Sequence, residues 1–268
     1  MNLFKPKILH YKSLPSTNNE AARLAAHGAE EGLAVVAEEQ TAGRGRLQRS
    51  WLSPMGAGLY CSVLLRPKFS ADRWPLITFV AALSVSDALL EACGLKTDIK
   101  WPNDLLAGER KICGVLAEVI ETSEGRAVVL GMGVNVTRDA FPKELAAVAI
   151  SVDEATGREN QRSTILHFLL KAVARWYPLL EEVEGDQKVI AEWVSRSSYA
   201  EGKLVTIVNG DETLTGVTRG LATDGALRLQ TELGIVVVRA GDVSRVRAAM
   251  KSEARRGSEW LNQQSEGS

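Results

Sequence analysis

Strand-like runs joined by short turn sequences limit this chain to a sheet whose neighbouring strands are largely antiparallel. Apolar runs that favour strands cover residues 99–101, 113–120 and 127–136. Gly108-Glu109 separates the first two runs and Ser123-Glu124-Gly125 the last two, as expected of hairpin turns. Strands joined by tight turns run in opposite directions. We therefore expect this part of the chain to form an antiparallel sheet.

Helical patterns alternate with these strands. Residues 16–27 are rich in alanine, and Ser16, or Thr17 with Glu20, offers an N-cap. Apolar residues recur at helical spacing over residues 77–92, which predicts a buried helix. Further helices are predicted at 163–183 and 186–196, and further strands at 33–37 and 59–65. The fold class predicted is α+β, a mixed, largely antiparallel sheet flanked by helices.

The pattern changes near Ser197. Short strand runs follow at 204–208, 211–218, 226–230 and 235–239, with hairpin signals at Asn209-Gly210, Asp224-Gly225 and Gly234. They predict a small C-terminal β-barrel, and the polar residues beyond 249 predict a frayed tail. We therefore divide the chain into residues 1–197, 198–248 and 249–268.

Composition excludes several classes of protein. The net charge is −1, with 32 Lys and Arg against 33 Asp and Glu. Proteins that bind nucleic acid mainly through its phosphates usually carry an excess of basic residues. The three cysteines are scattered, which argues for reduced thiols rather than a disulfide framework or zinc site. We find no apolar h-region of a signal peptide at the N-terminus. We also expect no apolar stretch of 18 residues, the length that could span a membrane. A soluble, cytoplasmic protein without a membrane segment is expected.

Three arginines within six residues mark the loop after the strand at 33–37. In Gly43-Arg44-Gly45-Arg46, the glycines allow close approach of the backbone to a ligand, and the guanidinium groups suit phosphate or carboxylate oxygens. The loop is thus a candidate for folding around a compact anion. A solvated basic loop has the same composition, so the segment alone does not decide between the two.

A second candidate is Lys100-Trp101-Pro102-Asn103-Asp104. Pro102 ends the preceding strand, so Asn103 and Asp104 present an amide and a carboxylate at a strand end, where ligands are often bound. An Asx turn without a ligand has the same sequence.

Two further segments combine polar residues with glycines inside strands. Lys111 stands at the entrance to a strand in which Gly114 leaves open space, although lysine is also common as a protective residue on edge strands. Gly131-Met132-Gly133-Val134-Asn135 lacks the third glycine of a dinucleotide fingerprint. Its glycines indicate close approach of a ligand or of another backbone, with Asn135 as a polar contact.

The chain lacks the sequence motifs of several chemistries. We find no phosphate loop of the Walker type, no Gly-x-Ser-x-Gly, no Cys-x-x-Cys and no histidines at metal-ligand spacing. What remains is cations, amides and one well-placed carboxylate. That set suits a site that positions substrates and stabilises charge while the substrates supply the reacting groups.

These segments, in this order and spacing, resemble those of biotin–protein ligases. The resemblance spans roughly residues 8 to 247 and rests above all on Gly43–Arg46 and Lys100–Asp104, about 55 residues apart. It implies the class II aminoacyl-tRNA synthetase-like fold with an SH3-like C-terminal barrel. Since Ser16 lies so near the start, we expect the short class, without an N-terminal DNA-binding domain. Gln48 departs from the glycine of many members.

The resemblance implies an enzyme that joins biotin to ATP with Mg²⁺ and transfers the biotinyl group to a lysine of a biotin carboxyl carrier domain. Lys111 and Arg46 would be catalytic. The implied biotin-binding residues are Ser16, Thr17, Asn18, Gln40, Gly43, Arg44, Gly45, Arg46, Lys111 and Gly114. The implied ATP-binding residues are Arg46, Trp51, Lys100, Asn103 and Asn135. Asp104 could hold Mg²⁺ or take the proton of the acceptor lysine.

Two other functions remain as alternatives at this stage. A lipoate or octanoate ligase-transferase shares the catalytic fold, but it would need a long apolar slot. A nucleic-acid-binding module could use the arginine loop as a basic arm, but the net charge and the 6% aromatic content oppose it. We expect no nucleic acid or membrane among the partners, and a homodimer is possible.

Overall fold

The computed structural model describes residues 6–209 and 212–245, and it contains a large sheet of seven strands. The strand order is β1-β2-β3-β7-β6-β5-β4; β1 and β2 are parallel and every other pair is antiparallel. The strands are β1 (Lys7–Tyr11), β2 (Leu33–Ala37), β3 (Gly58–Leu65), β4 (Asp98–Lys100), β5 (Asp104–Ala107), β6 (Arg110–Thr122) and β7 (Gly125–Asn135). The mixed, largely antiparallel sheet predicted from the turns is confirmed.

Helices cover both faces of this sheet. They are α1 (Thr17–Ala26), α2 (Leu76–Cys93), α3 (Val152–Thr156), α4 (Arg162–Trp176) and α5 (Gly185–Ser195). Helix α1 packs its small residues Ala21 and Ala25 against Val35, Leu64 and Val129 on one face. Helix α2 lies on the opposite face within the main apolar core, with α4 packed against it. The sheet is therefore the central layer, and the thin α1 layer leaves part of its face open.

Helix α2 is apolar over most of its surface, and most of its surface is buried. It is the one helix of the described residues that is long and apolar enough to cross a membrane, with a mean hydropathy of 1.7. The expectation that the chain contains no apolar stretch of 18 residues was therefore wrong. In the folded chain 78% of this stretch is buried, which is typical of a core helix.

A second sheet follows the helices. Its strands are β8 (Glu201–Asn209), β9 (Glu212–Leu221), β10 (Leu227–Thr231), β11 (Gly234–Val238) and β12 (Asp242–Arg245), in the order β11-β10-β9-β8-β12. Leu227 and Leu229 belong to the same apolar cluster as α2, and the indole Nε1 of Trp101 donates to the carbonyl of Gly225 at 3.0 Å. The small sheet thus packs directly on the large unit. Gly210, Asp211 and the tail at 249–268 lie outside the described residues.

Sequence patterns missed β1, β5, β12 and the short helix α3. Strand β5 matters most, because Asp104 begins it rather than lying in a turn. Its four residues carry little local signal, and the strand exists because it pairs with β4 on one side and β6 on the other. The Gly108-Glu109 turn accordingly joins β5 to β6.

Strand β6 contains a bulge where it pairs with β5. Leu105 pairs with Cys113 but Leu106 pairs with Lys111, so Ile112 is an extra residue on β6. A bulge reverses the alternation of side chains along the strand. As a result Ile112 and Cys113 are both buried, and Lys111 projects to the same face as Gly114, three residues later.

The three cysteines are buried in the core, and this predicts their reactivity. Burial raises the pKa of the Cys61 thiol to about 12 and also raises the pKa of Cys93 and Cys113. Since the thiolate is the nucleophile, the native protein should react with a thiol reagent at pH 8 far more slowly than the protein in guanidinium chloride. Rapid modification of one thiol in the native protein would contradict this packing.

Candidate active site

A cavity of about 120 Å³ lies on the face of the large sheet that carries α1. The N-terminus of α1, the arginine loop after β2 and the middle of β6 and β7 meet there. Its walls are formed by Ser16, Thr17, Asn18, Gln40, Arg44, Gly45, Arg46, Arg49, Ser50, Trp51, Asn103, Asp104, Lys111, Gly114, Val115, Leu116, Gly131, Met132, Gly133 and Asp242.

The floor of this first cavity is bare strand backbone. Gly114 on β6 pairs with Gly133 on β7, and the indole of Trp51 lies across both. A Cβ at Gly133 would stand 2.5 Å from Trp51 Nε1, and one at Gly114 would stand 3.0 Å from its Cζ3. The close approach expected at these glycines is thus made by a side chain of the loop. Trp51 Nε1 is buried and finds no acceptor among residues 6–209 and 212–245.

The first residues of α1 supply hydroxyl and amide groups to one end of the cavity. Ser16 precedes the helix but its hydroxyl makes no cap hydrogen bond, contrary to one expectation from the sequence. Instead, the buried Ser16 side chain lines the cavity. Thr17 donates from its backbone N–H and its hydroxyl to Gln40 Oε1, at 2.8 and 3.0 Å. Gln40 Nε2 then donates to Ser53 Oγ at 2.8 Å, which fixes the orientation of its amide.

Two residues that sequence reasoning missed hold Asn18. The fully buried Ser62 on β3 lies 2.6 Å from Asn18 Oδ1, and Glu118 on β6 accepts from Asn18 Nδ2 at 2.7 Å. Glu118 also accepts from Arg44 at 2.6 Å. Ser62 had a signal in the sequence, since it is a hydroxyl inside an otherwise apolar strand.

The arginine loop is held by contacts at both ends. Arg46 donates to Asn103 Oδ1 at 3.1 Å and to the carbonyl of Gly241, the residue before β12, at 3.5 Å, while Arg49 pairs with Asp242 on β12. Leu47 and Gln48 have left-handed backbone angles, with φ of +53° and +59°. Glycine adopts such angles without strain, so Gln48 occupies a position where its departure from the family pattern has a conformational cost.

Lys111 and Asp104 form an ion pair beside Trp51. Lys111 Nζ lies 2.6 Å from Asp104 Oδ1 and 5.3 Å from the centroid of the indole ring. Both side chains are partly exposed, so the ammonium group remains accessible to a ligand. The bulge at Ile112 is what aims Lys111 at this point.

A second, larger cavity of about 860 Å³ adjoins the first. Its walls are formed by Ser50, Trp51, Leu52, Lys100, Asp104, Leu106, Glu109, Lys111, Asn135, Ala140, Phe141, Leu145, Ala147, Val148, Ala149, Tyr199 and Ser244. Ser50, Trp51, Asp104 and Lys111 line both cavities, so these four residues form the wall between them.

The segment that closes the far side of the second cavity is attached to Lys111 through the backbone. Lys111 N–H donates to the carbonyl of Val148 at 2.8 Å, and Ile150 N–H donates back to the carbonyl of Lys111 at 3.0 Å. The amide of Asn135 adds a bond to the carbonyl of Ile150 at 3.3 Å. The role of Asn135 in this structure is therefore to position an apolar wall.

Two partly buried cations make the site favourable for anions. Burial lowers the pKa of Arg46 and of Lys100 below their ordinary values, because a desolvated cation is disfavoured. An anionic ligand placed between them would recover this electrostatic cost. Arg46 lines the first cavity and Lys100 the second, so positive charge lies on both sides of the common wall.

The structure brings together all the site residues implied by the resemblance except Gly43. Ser16, Thr17, Asn18, Gln40, Arg44, Gly45, Arg46, Asn103 and Gly114 line the first cavity, Lys100 and Asn135 line the second, and Trp51, Asp104 and Lys111 line both. Gly43 lies behind the wall, where its carbonyl accepts from Trp51 N–H at 2.9 Å and a Cβ would collide with the Trp51 carbonyl. Its lack of a side chain therefore serves the loop rather than the cavity surface.

The bare floor predicts the effect of adding one methyl group. In Gly133→Ala the methyl would overlap the indole, so Trp51 should leave the floor and its emission should shift to longer wavelength. Because the chain has six tryptophans, the Trp51 signal is obtained by subtracting the spectrum of the matching Trp51→Phe protein. In Gly114→Ala the added Cβ would lie farther from the indole, so the shift should be smaller. An unchanged Trp51 signal in Gly133→Ala would contradict this packing.

Comparisons with known proteins agree with this architecture. A model of the biotin/lipoate A/B protein ligase family matches residues 11–135, and a model of the biotin protein ligase C-terminal domain matches residues 202–246. The bifunctional ligase/repressor BirA of Bacillus subtilis (strain 168) is 36% identical over 244 residues, covering 88% of this chain and 73% of the relative.

Two further relatives match this chain over almost their entire length. The biotin–[acetyl-CoA-carboxylase] ligase of Paracoccus denitrificans is 36% identical over 85% of this chain and 96% of its own. The structure of the Aquifex aeolicus biotin protein ligase in complex with biotin and ATP matches with TM-score 0.77 and 33% identity, over 90% of this chain and 99% of that chain. This chain is therefore a member of the biotin–protein ligase family.

Proposed function

We propose that the two adjoining cavities of this ligase hold biotin and ATP on either side of one wall. The enzyme activates biotin as biotinyl-5′-AMP and transfers the biotinyl group to a protein lysine. The observation that carries the site assignment is the common wall of Ser50, Trp51, Asp104 and Lys111. Two substrates that must react with each other need adjacent sites with a shared boundary, and the Aquifex relative was solved with both molecules.

We assign the ureido ring of biotin to the polar end of the first cavity. A ureido group offers two N–H donors and one carbonyl acceptor. Ser16, Asn18 and Gln40 supply hydroxyl and amide groups there, and the amides of Asn18 and Gln40 are held by partners that fix their orientation. The biotin carboxylate would then extend past Trp51 towards Lys111 and Arg46.

We assign the adenine and ribose of ATP to the second cavity. Leu145, Ala147 and Val148 give it an apolar side, while Lys100 and Asn135 lie on its polar side. An adenine ring binds well between aliphatic and aromatic surfaces, and Trp51 provides an aromatic one. The triphosphate would then lie near Lys100 and Lys111, which supply positive charge without a phosphate loop of the Walker type.

In the first half-reaction, the biotin carboxylate oxygen attacks the α-phosphorus of ATP and pyrophosphate leaves. Both reactants are anions, and two unit charges 4 Å apart repel by about 4 kcal/mol at an effective dielectric constant of 20. Lys111 and Arg46 would reduce this repulsion and stabilise the charge that develops at phosphorus. A preorganised charge of this kind contributes about 3 kcal/mol, or roughly a hundredfold in rate.

In the second half-reaction, the amine of the acceptor lysine attacks the carbonyl of biotinyl-5′-AMP. An amide bond forms, the bond to the phosphate oxygen breaks and AMP leaves, while the amine loses one proton. Asp104 is the carboxylate at the wall between the cavities and is the candidate to accept that proton. Its ion pair with Lys111 also gives it a role in positioning that ammonium group.

Magnesium would enter with the nucleotide. No group of three or more metal-ligating side chains occurs in residues 6–209 and 212–245, so a cage built by the protein alone does not fit. Mg²⁺ is commonly held by one or two carboxylates together with phosphate oxygens, which fits Asp104 as a single ligand. When bound, the ion would neutralise phosphate charge and favour departure of pyrophosphate.

We propose that the acceptor is a biotin carboxyl carrier domain of a carboxylase and that the enzyme works in the cytoplasm. The name of the Paracoccus relative supports the first point, and buried, unpaired cysteines support the second. We also propose that residues 1–197 form the catalytic domain and residues 198–248 the C-terminal one. The support for this division is that the second sheet begins at Glu201.

The direct test is exchange of radioactive pyrophosphate into ATP, measured with and without biotin. The wild-type enzyme should require biotin, and Lys111→Ala should lose roughly a hundredfold in exchange rate because the wall loses its ammonium group. Near-normal exchange by a folded Lys111→Ala protein would remove Lys111 from the mechanism.

Two controls accompany this measurement. Lys171→Ala removes an exposed lysine that is also ion-paired, to Glu91 at 3.2 Å, and should exchange at the wild-type rate. Replacing biotin by octanoate or lipoate tests the related acyl ligases. Exchange that depends on octanoate rather than biotin would overturn the assignment of the first cavity.

A further inference from the structure

We propose that Glu118, together with Ser62, is a positioning residue that fixes the carboxamide orientation of Asn18 and thereby sets which hydrogen-bonding groups biotin meets. The inference rests on the proposed placement of the ureido ring in the first cavity. Neither residue touches the ligand in this account. Both act through Asn18, and Glu118 also acts through Arg44.

The hydrogen bonds of Asn18 define one orientation of its amide. Nδ2 donates to the carboxylate of Glu118 at 2.7 Å, with a longer contact of 3.4 Å to the carbonyl of Leu116. Oδ1 faces the opposite way, lies over the bare backbone of Gly131 and has the hydroxyl of Ser62 at 2.6 Å. Gly131 lines the cavity, so the second lone pair of Oδ1 is the acceptor that this side chain can offer to a ligand N–H.

Glu118 makes the reverse orientation unfavourable. If the amide turned by half a rotation, Oδ1 would face a carboxylate, which has no proton to donate. The cavity would then present Nδ2, a donor, to a ureido N–H, which is also a donor. The carboxylate therefore selects the acceptor form of Asn18, and a glutamine at this position would select it less strongly, because its uncharged amide accepts a weaker hydrogen bond and can also donate.

Ser62 holds the other end of the same amide. Its hydroxyl has one proton and two neighbouring acceptors, Asn18 Oδ1 at 2.6 Å and Thr17 Oγ1 at 2.7 Å. The Thr17 proton is already directed to Gln40 Oε1. The Ser62 proton goes to Asn18 Oδ1, the shorter contact and, as an amide carbonyl, the stronger acceptor, so the donor that holds this amide lies at a fully buried position.

The carboxylate that orients Asn18 also fastens the arginine loop. The same oxygen, Oε2 of Glu118, accepts from Arg44 NH2 at 2.6 Å. The position of the loop and the orientation of Asn18 thus depend on one charged acceptor. A ligand bound against Asn18 would therefore be stabilised both by a correctly directed amide and by a loop held beside it.

The test is Glu118→Gln, assayed by biotin-dependent pyrophosphate exchange. A hydrogen bond to a charged group contributes enough that its loss should raise the KM for biotin by roughly tenfold. The KM for ATP should be unchanged and the kcat affected much less than the KM for biotin, because the wall at Lys111 is untouched and the glutamine oxygen can still accept from Arg44. Glu121→Gln, the same change at an exposed position of β6, is the matched control and should leave the KM for biotin unchanged.

A second measurement distinguishes a change in the orientation of the Asn18 amide from a general loss of packing. Biotin methylated at one ureido nitrogen lacks one N–H donor, and each of the two such analogues is assayed in turn. With the wild-type enzyme, the analogue blocked at the nitrogen that faces Asn18 should bind poorly. In Glu118→Gln the penalty for that analogue should shrink, because Asn18 is held less strongly in the acceptor form. Equal penalties in both enzymes would overturn the proposal.

The outcomes distinguish this inference from the function on which it rests. Absence of biotin-dependent exchange in the wild-type enzyme would refute both. Exchange by the wild type with an unchanged KM for biotin in Glu118→Gln would refute the inference alone. Should Glu118→Gln fail to fold, Ser62→Ala provides the second variant; it removes the donor on the opposite side of Asn18 and should show the same selective rise in the KM for biotin.

Discussion

The bulge at Ile112 is the constraint on which the geometry of the active site depends. Residues three apart on a regular strand face opposite sides of a sheet, so Lys111 and Gly114 would be separated by the sheet itself. The extra residue brings them to one face and places the ammonium group of Lys111 beside the floor formed by Gly114 and Gly133. Trp51 lies on that floor, and Lys111 and Asp104 complete the wall between the two cavities.

The charges around the two cavities determine what this geometry can do chemically. Arg46 and Lys100 are cations whose burial is unfavourable, and they flank the wall on either side. Such groups are stabilised by anions, and the carboxylate of biotin and the phosphates of ATP must approach each other against mutual repulsion. The protein therefore contributes position and positive charge, while the substrates contribute the nucleophile and the leaving group. This explains why the sequence contains none of the common nucleophile motifs.

Sequence reasoning named residues that line the two cavities, but it did not reach the means by which they are assembled. The apolar spacing in α2 predicted its burial because that signal is local. Strand β5 and the bulge were missed because a four-residue strand is made by its neighbours, and the bulge exists only relative to β5. Glu118 and Ser62 were missed because their importance lies in contacts with Asn18, which is 100 and 44 residues away in the chain.

The most direct test of the two-cavity account is a crystal structure of the enzyme with biotin and a non-hydrolysable ATP analogue. The account predicts the ureido ring at Ser16 and Asn18 and the adenine near Val148. It also predicts the biotin carboxylate and the α-phosphate within ion-pair distance, about 4 Å, of Lys111 Nζ. Adenine in the first cavity, or an α-phosphate out of reach of Lys111, would contradict the account.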